Sequence, residues 1–241
     1  MQTLDFNQFH PFIKLAFTFF IMFLSYLALT IVGMMLAMPI FHLNVQDILQ
    51  LLSSNLQLSN VVFLKYSQFI QSLGFFVIPG LIVNYFFRSN KSLYFHINRK
   101  PDLNIIFLVL FSIFASVPFI NLLLDWNMQL KLPEFLSGVE VFIRQMEDNA
   151  GVIMDKLLAT ENGFSFAFNL VLIALLPAIG EEFIFRGIFQ QIFKEWFKNK
   201  HLAVAVTAIL FSAFHFQFYG FLPRMALGFY FGYLFFLCWG V

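Results

Sequence analysis

Six stretches of this chain contain no Asp, Glu, Lys or Arg: Leu15–Gln46, Tyr66–Phe87, Leu103–Leu124, Asn162–Gly180, His201–Pro223 and Met225–Val241. A helix needs about 20 such residues to cross the hydrocarbon of a bilayer. An aqueous fold has no comparable use for them. Of the 241 residues 60% are hydrophobic and 38 are phenylalanine, more apolar surface than one soluble core of this size conceals. No segment shows the alternation of a membrane β-barrel. The sequence therefore predicts an all-α, polytopic membrane helix bundle of about six transmembrane helices, multi-pass in the cell membrane with lipid around it. The first window ends in a polar tail after about Phe41, and its apolar run is far longer than the ~7–15 residues of a signal h-region. It reads as a helix that remains in place. Ile48–Leu64 is uncharged but rich in Ser, Asn and Gln, which suits a loop or surface helix.

Charge placement orients these spans. Arg88, Lys91, Arg99 and Lys100 crowd one connection, and Lys194, Lys198 and Lys200 another. Between Asp125 and Glu161 acidic side chains dominate, with Glu134, Glu140, Glu147, Asp148 and Asp155 among them. The positive-inside rule puts the basic connections in the cytoplasm and the acidic segment outside, so the N-terminus is predicted cytoplasmic. With a net charge of +1 and no basic cluster of the size nucleic acid needs, the chain has no footprint for nucleic acid. Its single cysteine, Cys238, excludes an internal disulfide framework and a multi-cysteine zinc site; it reads as a small apolar residue near a helix end.

The acidic segment has helical spacing of its own. Pro133 can open a helix, and Leu136, Val139, Phe142, Ile143 and Met146 follow until Asn149-Ala150-Gly151, where a break is expected. Ile153, Leu157 and Leu158 suit a second turn. The organisation expected is thus N-terminal transmembrane helices over 1–130, two short amphipathic helices on the outer side over 131–163, and a membrane-embedded core over 164–241.

Within that core, "LLPAIGEEFIFRGIFQ" places Glu181, Glu182 and Arg186 inside an apolar helix predicted to run from about Phe164 to Phe197. A charge at mid-membrane costs at least ~2.5–3.5 kcal/mol on insertion scales, so such groups face the protein interior or a water-filled cavity. The next apolar segment carries one titratable side chain, His215. From a turn near Asn199, Glu181 lies 18 residues back and His215 16 residues on. At ~1.5 Å per residue these are about 27 and 24 Å, so an antiparallel hairpin sets them at nearly one depth. Glu182 and Arg186, four apart, can pair and neutralise one carboxylate in place. That leaves Glu181 to face His215, a pair able to act as general base on a water. The same two side chains could instead hold a divalent metal such as zinc. No HExxH is present to favour zinc directly, and both alternatives stay open.

"EEFIFRG" resembles the EExxxR motif, and "FSAFH" from Phe211 to His215 the FxxxH motif, of the CPBP intramembrane proteases. These include the type II CAAX prenyl endopeptidases and the bacterial Abi or bacteriocin-immunity-like proteins. Order and separation match, and "LGFYFGYLF" with Gly228 and Gly232 fits the family's glycine-bearing helix. A GxxxG-like spacing also has a plain use in close helix contact. The resemblance covers Phe164 to Val241 and implies an all-helical bundle that hydrolyses a peptide bond of a membrane-associated protein or peptide. It implies that Glu181 and His215 activate the water, that Glu182 and Arg186 support the site, and that Phe211 packs beside the histidine. The family's further helix with His-x-x-x-Asn or His-x-x-x-Asp has no counterpart after Gly232, so the chain is expected to be C-terminally incomplete relative to the family and poorly active as it stands. The competing expectation is a non-catalytic membrane scaffold or self-immunity protein of the same fold. A proton-coupled transporter is a third, since intramembrane Glu and His also relay protons.

Overall fold

The computed structural model describes residues 8–44, 46–47, 61–87, 103–160 and 162–239. The basic connection carrying Arg88, Lys91, Arg99 and Lys100, most of Ile48–Leu64 and the acidic Glu161 lie outside them. Among the described residues there are helices and no strands. The helices are α1 (Pro11–Phe41), α2 (Val61–Phe87), α3 (Leu103–Met128), α4 (Ser137–Leu158), α5 (Gly163–Phe197), α6 (Lys200–Ala213) and α7 (Phe221–Trp239).

Five of the described segments are long and apolar enough to cross a bilayer; α6 is the exception at 14 residues. The chain is a multi-pass membrane protein whose sixth apolar window is shorter than expected. At ~1.5 Å per residue α6 rises about 21 Å, short of the ~30 Å hydrocarbon. It stops because Phe216 takes a left-handed conformation, φ 51°, which a bulky residue adopts only where the surroundings enforce it. A hydrophobicity window is blind to that corner. His215 therefore sits in the turn after α6, not within a full-length span.

The core is built around α5. Ile184, Phe185, Ile188, Phe189 and Ile192 are fully buried on successive sides of it, against Met22 of α1, Val83 and Phe87 of α2, and Ala203 and Phe211 of α6. In lipid this burial gains little from water exclusion; interdigitated side chains and aromatic edges hold the helices together. Phe185 meets Phe211 edge-on at 5.2 Å and Phe214 at 5.6 Å. Near the start of α1, Lys14 is buried and ion-paired with Glu195 of α5 at 2.7 Å, which brings the first residues of α1 level with the end of α5. At the opposite end Leu157 of α4 joins Ala37, Phe63 and Leu64, and the Asn169 amide donates to its carbonyl at 2.8 Å. The start of α1 and the end of α5 thus lie at one end, and the end of α1 and the starts of α2 and α5 at the other.

The long helices are not α throughout. π-helical segments occupy Leu73–Val77, Leu170–Leu175 and Phe183–Phe189. The first two stand just before Pro79 and Pro177, whose rings clash with the carbonyl four residues back and cannot donate. The third has no proline beside it and holds Arg186.

The segment between α3 and α5 corrects the expectation of two short helices. After a 3₁₀ turn at Glu134–Leu136, α4 runs unbroken through Asn149-Ala150-Gly151 to Leu158. One glycine costs a helix only about 1 kcal/mol, and the inward face continues across it: Leu136, Glu140, Ile143, Glu147, Ala150, Ile153, Lys156 and Leu157 are the least exposed positions. Val139, Phe142 and Met146, expected on the packed stripe, are exposed. Two glutamates take inward places because they have partners there.

Candidate active site

α5 and α6 form the antiparallel hairpin the spacing predicts, and its turn is built locally. Lys198 closes α5 in a left-handed conformation. Asn199 caps α6, its Oδ1 accepting from the backbone N–H of His201 and Leu202, the ordinary use of an Asn at an N-cap. This register brings Glu181 Oε1 to 3.9 Å from His215 Nε2, with the two side chains 20% and 28% exposed. His215 Nδ1–H donates to the Phe211 carbonyl at 2.8 Å, the tautomer that leaves Nε2 with a free lone pair toward the glutamate.

Behind this pair lies the second one. Arg186 Nη1 meets Glu182 Oε1 at 3.0 Å; the arginine side chain is 1% exposed and the glutamate 45%. The guanidinium lies over the Phe211 ring at 4.6 Å and faces Phe231 at 5.7 Å, and Nη2 approaches the Gly228 carbonyl at 3.4 Å. Phe211 in turn packs against the His215 ring at 4.9 Å, so one phenyl face carries the cation and its edge carries the imidazole. Gly228 and Gly232 sit where α7 crosses α6. A Cβ at Gly228 would stand 3.0 Å from the Ala208 backbone, and one at Gly232 would meet Val204 and the Gln190 Oε1 at 2.9 Å. Small residues let the helices approach closely, and here they also present carbonyls to Arg186 and to Gln190, whose Nε2 donates to Gly232 at 3.0 Å. The seven residues singled out from sequence (Glu181, Glu182, Arg186, Phe211, His215, Gly228 and Gly232) thus converge on one region.

Several others converge there without a sequence signal. The corner after His215 is pinned by Ser212 Oγ donating to the Phe221 carbonyl at 2.6 Å. Asn127 of α3 donates to the Phe218 carbonyl and accepts from the Leu222 N–H. Tyr219 is clasped by α4: its N–H donates to Glu147 at 3.0 Å, its hydroxyl to Glu140 at 3.2 Å, and Arg144 lies over its ring at 4.3 Å. Arg224 donates to Gln217. Scattered single polar residues in apolar helices offer no spacing to read.

A protein-bound catalytic zinc takes three protein ligands. Among the described residues no group of three His, Cys, Asp or Glu side chains comes together. Glu181 and His215 supply two donors. This set does not fit a resident metal, and the chemistry below uses none.

A buried Glu–Arg pair thus backs a Glu–His pair inside a multi-pass helical bundle. Residues 163–239, from the start of α5 to the end of α7, match the family described as type II CAAX prenyl endopeptidase Rce1-like, which supports over that segment the resemblance to the CPBP proteases. No curated protein and no solved structure matches the chain.

Proposed function

We propose that this chain is an intramembrane endopeptidase that hydrolyses a peptide bond of a membrane-associated protein, with Glu181 and His215 activating the water. The 3.9 Å between Glu181 Oε1 and His215 Nε2 carries this reading. It is too long for a direct hydrogen bond and within what one water donating to both atoms bridges. As that water attacks the carbonyl carbon its proton passes to the pair, and the pair returns a proton to the leaving amine. Arg186 and Glu182 are positioning residues: the buried guanidinium fixes Phe211, and Phe211 fixes the histidine. The membrane orientation that suits the charge pattern has the start of α1 and the end of α5 in the cytoplasm, with α4 outside.

The test is cleavage of a membrane-associated reporter peptide by the full chain in nanodiscs. Glu181→Ala and His215→Ala each abolish cleavage while helical circular dichroism stays that of the parent. Unchanged cleavage in both variants would sink the reading and favour a non-catalytic scaffold of the same fold.

A further inference from the structure

Among the described side chains of α3 only one is buried, and it is polar. Asn127 is 1% exposed, while its neighbours Trp126 and Met128 face outward. A helix in lipid gains nothing by hiding an amide unless the amide has partners. Here both partners are backbone groups of the corner that carries His215. Asn127 Nδ2 donates to the Phe218 carbonyl at 2.9 Å, and Oδ1 accepts from the Leu222 N–H at 2.7 Å. Turning the amide over would set N–H against N–H and oxygen against oxygen, so its orientation is fixed.

The corner's own sequence creates the need for this amide. N–H groups in the first turn of a helix have no acceptor within it. Gly220, just before α7, has no side chain with which to cap that turn. Because α6 is too short to cross the hydrocarbon, the corner lies at a depth where backbone groups need protein partners. Asn127 supplies from 95 residues away what an N-cap side chain supplies locally. Its two bonds bracket the stretch from Phe218 to Leu222. Two residues before that stretch Phe216 is held left-handed, φ 51°, a conformation that persists only while the chain around it is fixed. His215 is the residue before Phe216. The other ties are of a different kind. Ser212 joins the corner to the hairpin's own return at Phe221, and Tyr219 reaches the partly exposed glutamates of α4.

From the buried amide, its two backbone bonds and the left-handed residue beside the histidine we infer that Asn127 is a positioning residue for His215. It sets the corner so that the imidazole keeps its Nδ1–H on the Phe211 carbonyl and turns Nε2 toward Glu181. Asn127 touches neither the water nor the scissile bond and exchanges no proton; it acts through the backbone alone. Its consequence for turnover rests on the endopeptidase reading, since a base held loosely spends less time in line with its water.

The experiment reads the histidine itself. The full chain, with isotope-labelled histidine, is placed in nanodiscs in alkaline buffer where an imidazole is neutral, and the ring nitrogens are followed by NMR. The His215 signals are those missing from His215→Gln. A single Nδ1–H tautomer gives the parent two widely separated ring nitrogen signals. Asn127→Leu keeps the volume and removes both bonds, and its two His215 signals draw together as the tautomers mix. Leu64→Ala, which removes buried packing at the opposite end of the bundle, leaves them at the parent positions. Parent positions in Asn127→Leu overturn the inference, as does an equal shift in Leu64→Ala or a parent without the single tautomer. If Asn127→Leu does not fold, Asn127→Asp, which retains the acceptor for Leu222, is read in its place; failure of both to fold makes Asn127 a support of the whole bundle and also overturns it. Hydrolysis separates the two claims. Per folded enzyme, Asn127→Leu lowers kcat by about 100-fold at unchanged KM. If Glu181→Ala is dead and Asn127→Leu keeps the parent kcat, only the positioning role fails. If the His215 signals move as expected and the parent hydrolyses nothing, the endopeptidase reading fails and the hold on His215 stands.

Discussion

The Glu182–Arg186 pair should respond very unequally to loss of one partner or the other. Arg186 is 1% exposed, while Glu182 is 45% exposed. Glu182→Ala leaves a guanidinium enclosed between the Phe211 and Phe231 rings without its ion-pair partner. Removing one partner of a buried pair typically costs 3–5 kcal/mol; because this glutamate is half open to its surroundings, the lower end, about 3 kcal/mol, applies. Arg186→Met instead fills the same space with an apolar side chain and leaves a carboxylate that can turn outward or take up a proton. Its cost is the two ring contacts, about 1–2 kcal/mol. The double variant should then be less destabilised than the sum of the singles by about 2 kcal/mol, since Glu182 is no longer needed once the cation is gone. Reversible unfolding of the full chain in mixed micelles, followed by tryptophan fluorescence, reads all three. If Arg186→Met costs as much as Glu182→Ala, or the two singles simply add, the guanidinium is not the enclosed charge that the geometry describes.

Two further outcomes follow from surfaces at opposite ends of the packing scale. Gly228→Ala pushes a methyl to 3.0 Å from the Ala208 backbone, which cannot yield as a side chain would, and should cost about 1–3 kcal/mol. Gly151→Ala meets nothing within 4 Å and should stabilise α4 by about 0.5–1 kcal/mol; the same unfolding assay checks both signs. On α4 the Arg144 guanidinium, then the Leu132 N–H, hold the Glu140 carboxyl below the usual range. A depressed carboxylate contributes its stabilisation in full above its unfolded value of ~4.3. That contribution disappears as pH falls through the lower folded value. Hydrogen exchange over residues 132–147, corrected for intrinsic rate, should therefore stay protected down to about pH 4.3 and open progressively below it. Glu140→Gln should lose that acid dependence, and an unaltered profile would refute it.

What was legible in the sequence was what a regular helix makes arithmetical. The rise per residue is constant, so Glu181 and His215 could be set at one depth from a turn at Asn199, and the turn residue is itself the cap. Glu182 and Arg186 pair although the helix between them is π and not α, because the arginine is long enough to absorb the change. The illegible parts depend on tertiary partners. Nothing near Phe216 announces a left-handed residue, so α6 looked as long as its apolar window. Gly151 looked like a stop because propensity is a weak vote, and the inward face of α4 outvotes it. Glu140 and Glu147 face inward because Tyr219, some seventy residues away, meets them there. Arg224 and Gln217 are two unremarked polar residues in the sequence, and only the corner after α6 brings them together.

The π-helical stretch at Phe183–Phe189 bears on chain length as well as shape. In an α-helix a one-residue deletion swings everything beyond it by about 100° and scrambles the buried faces. A π turn already contains a surplus residue. Shortening this stretch by one would let it relax to α while Glu181 upstream and Gln190 downstream keep their faces. The count between the glutamates and the rest of α5 is therefore, like the π stretch at Leu170–Leu175, a spacing in this helix that can drift by a residue among descendants of the same fold, and an alignment that demands a fixed interval there will misplace the contacts after it.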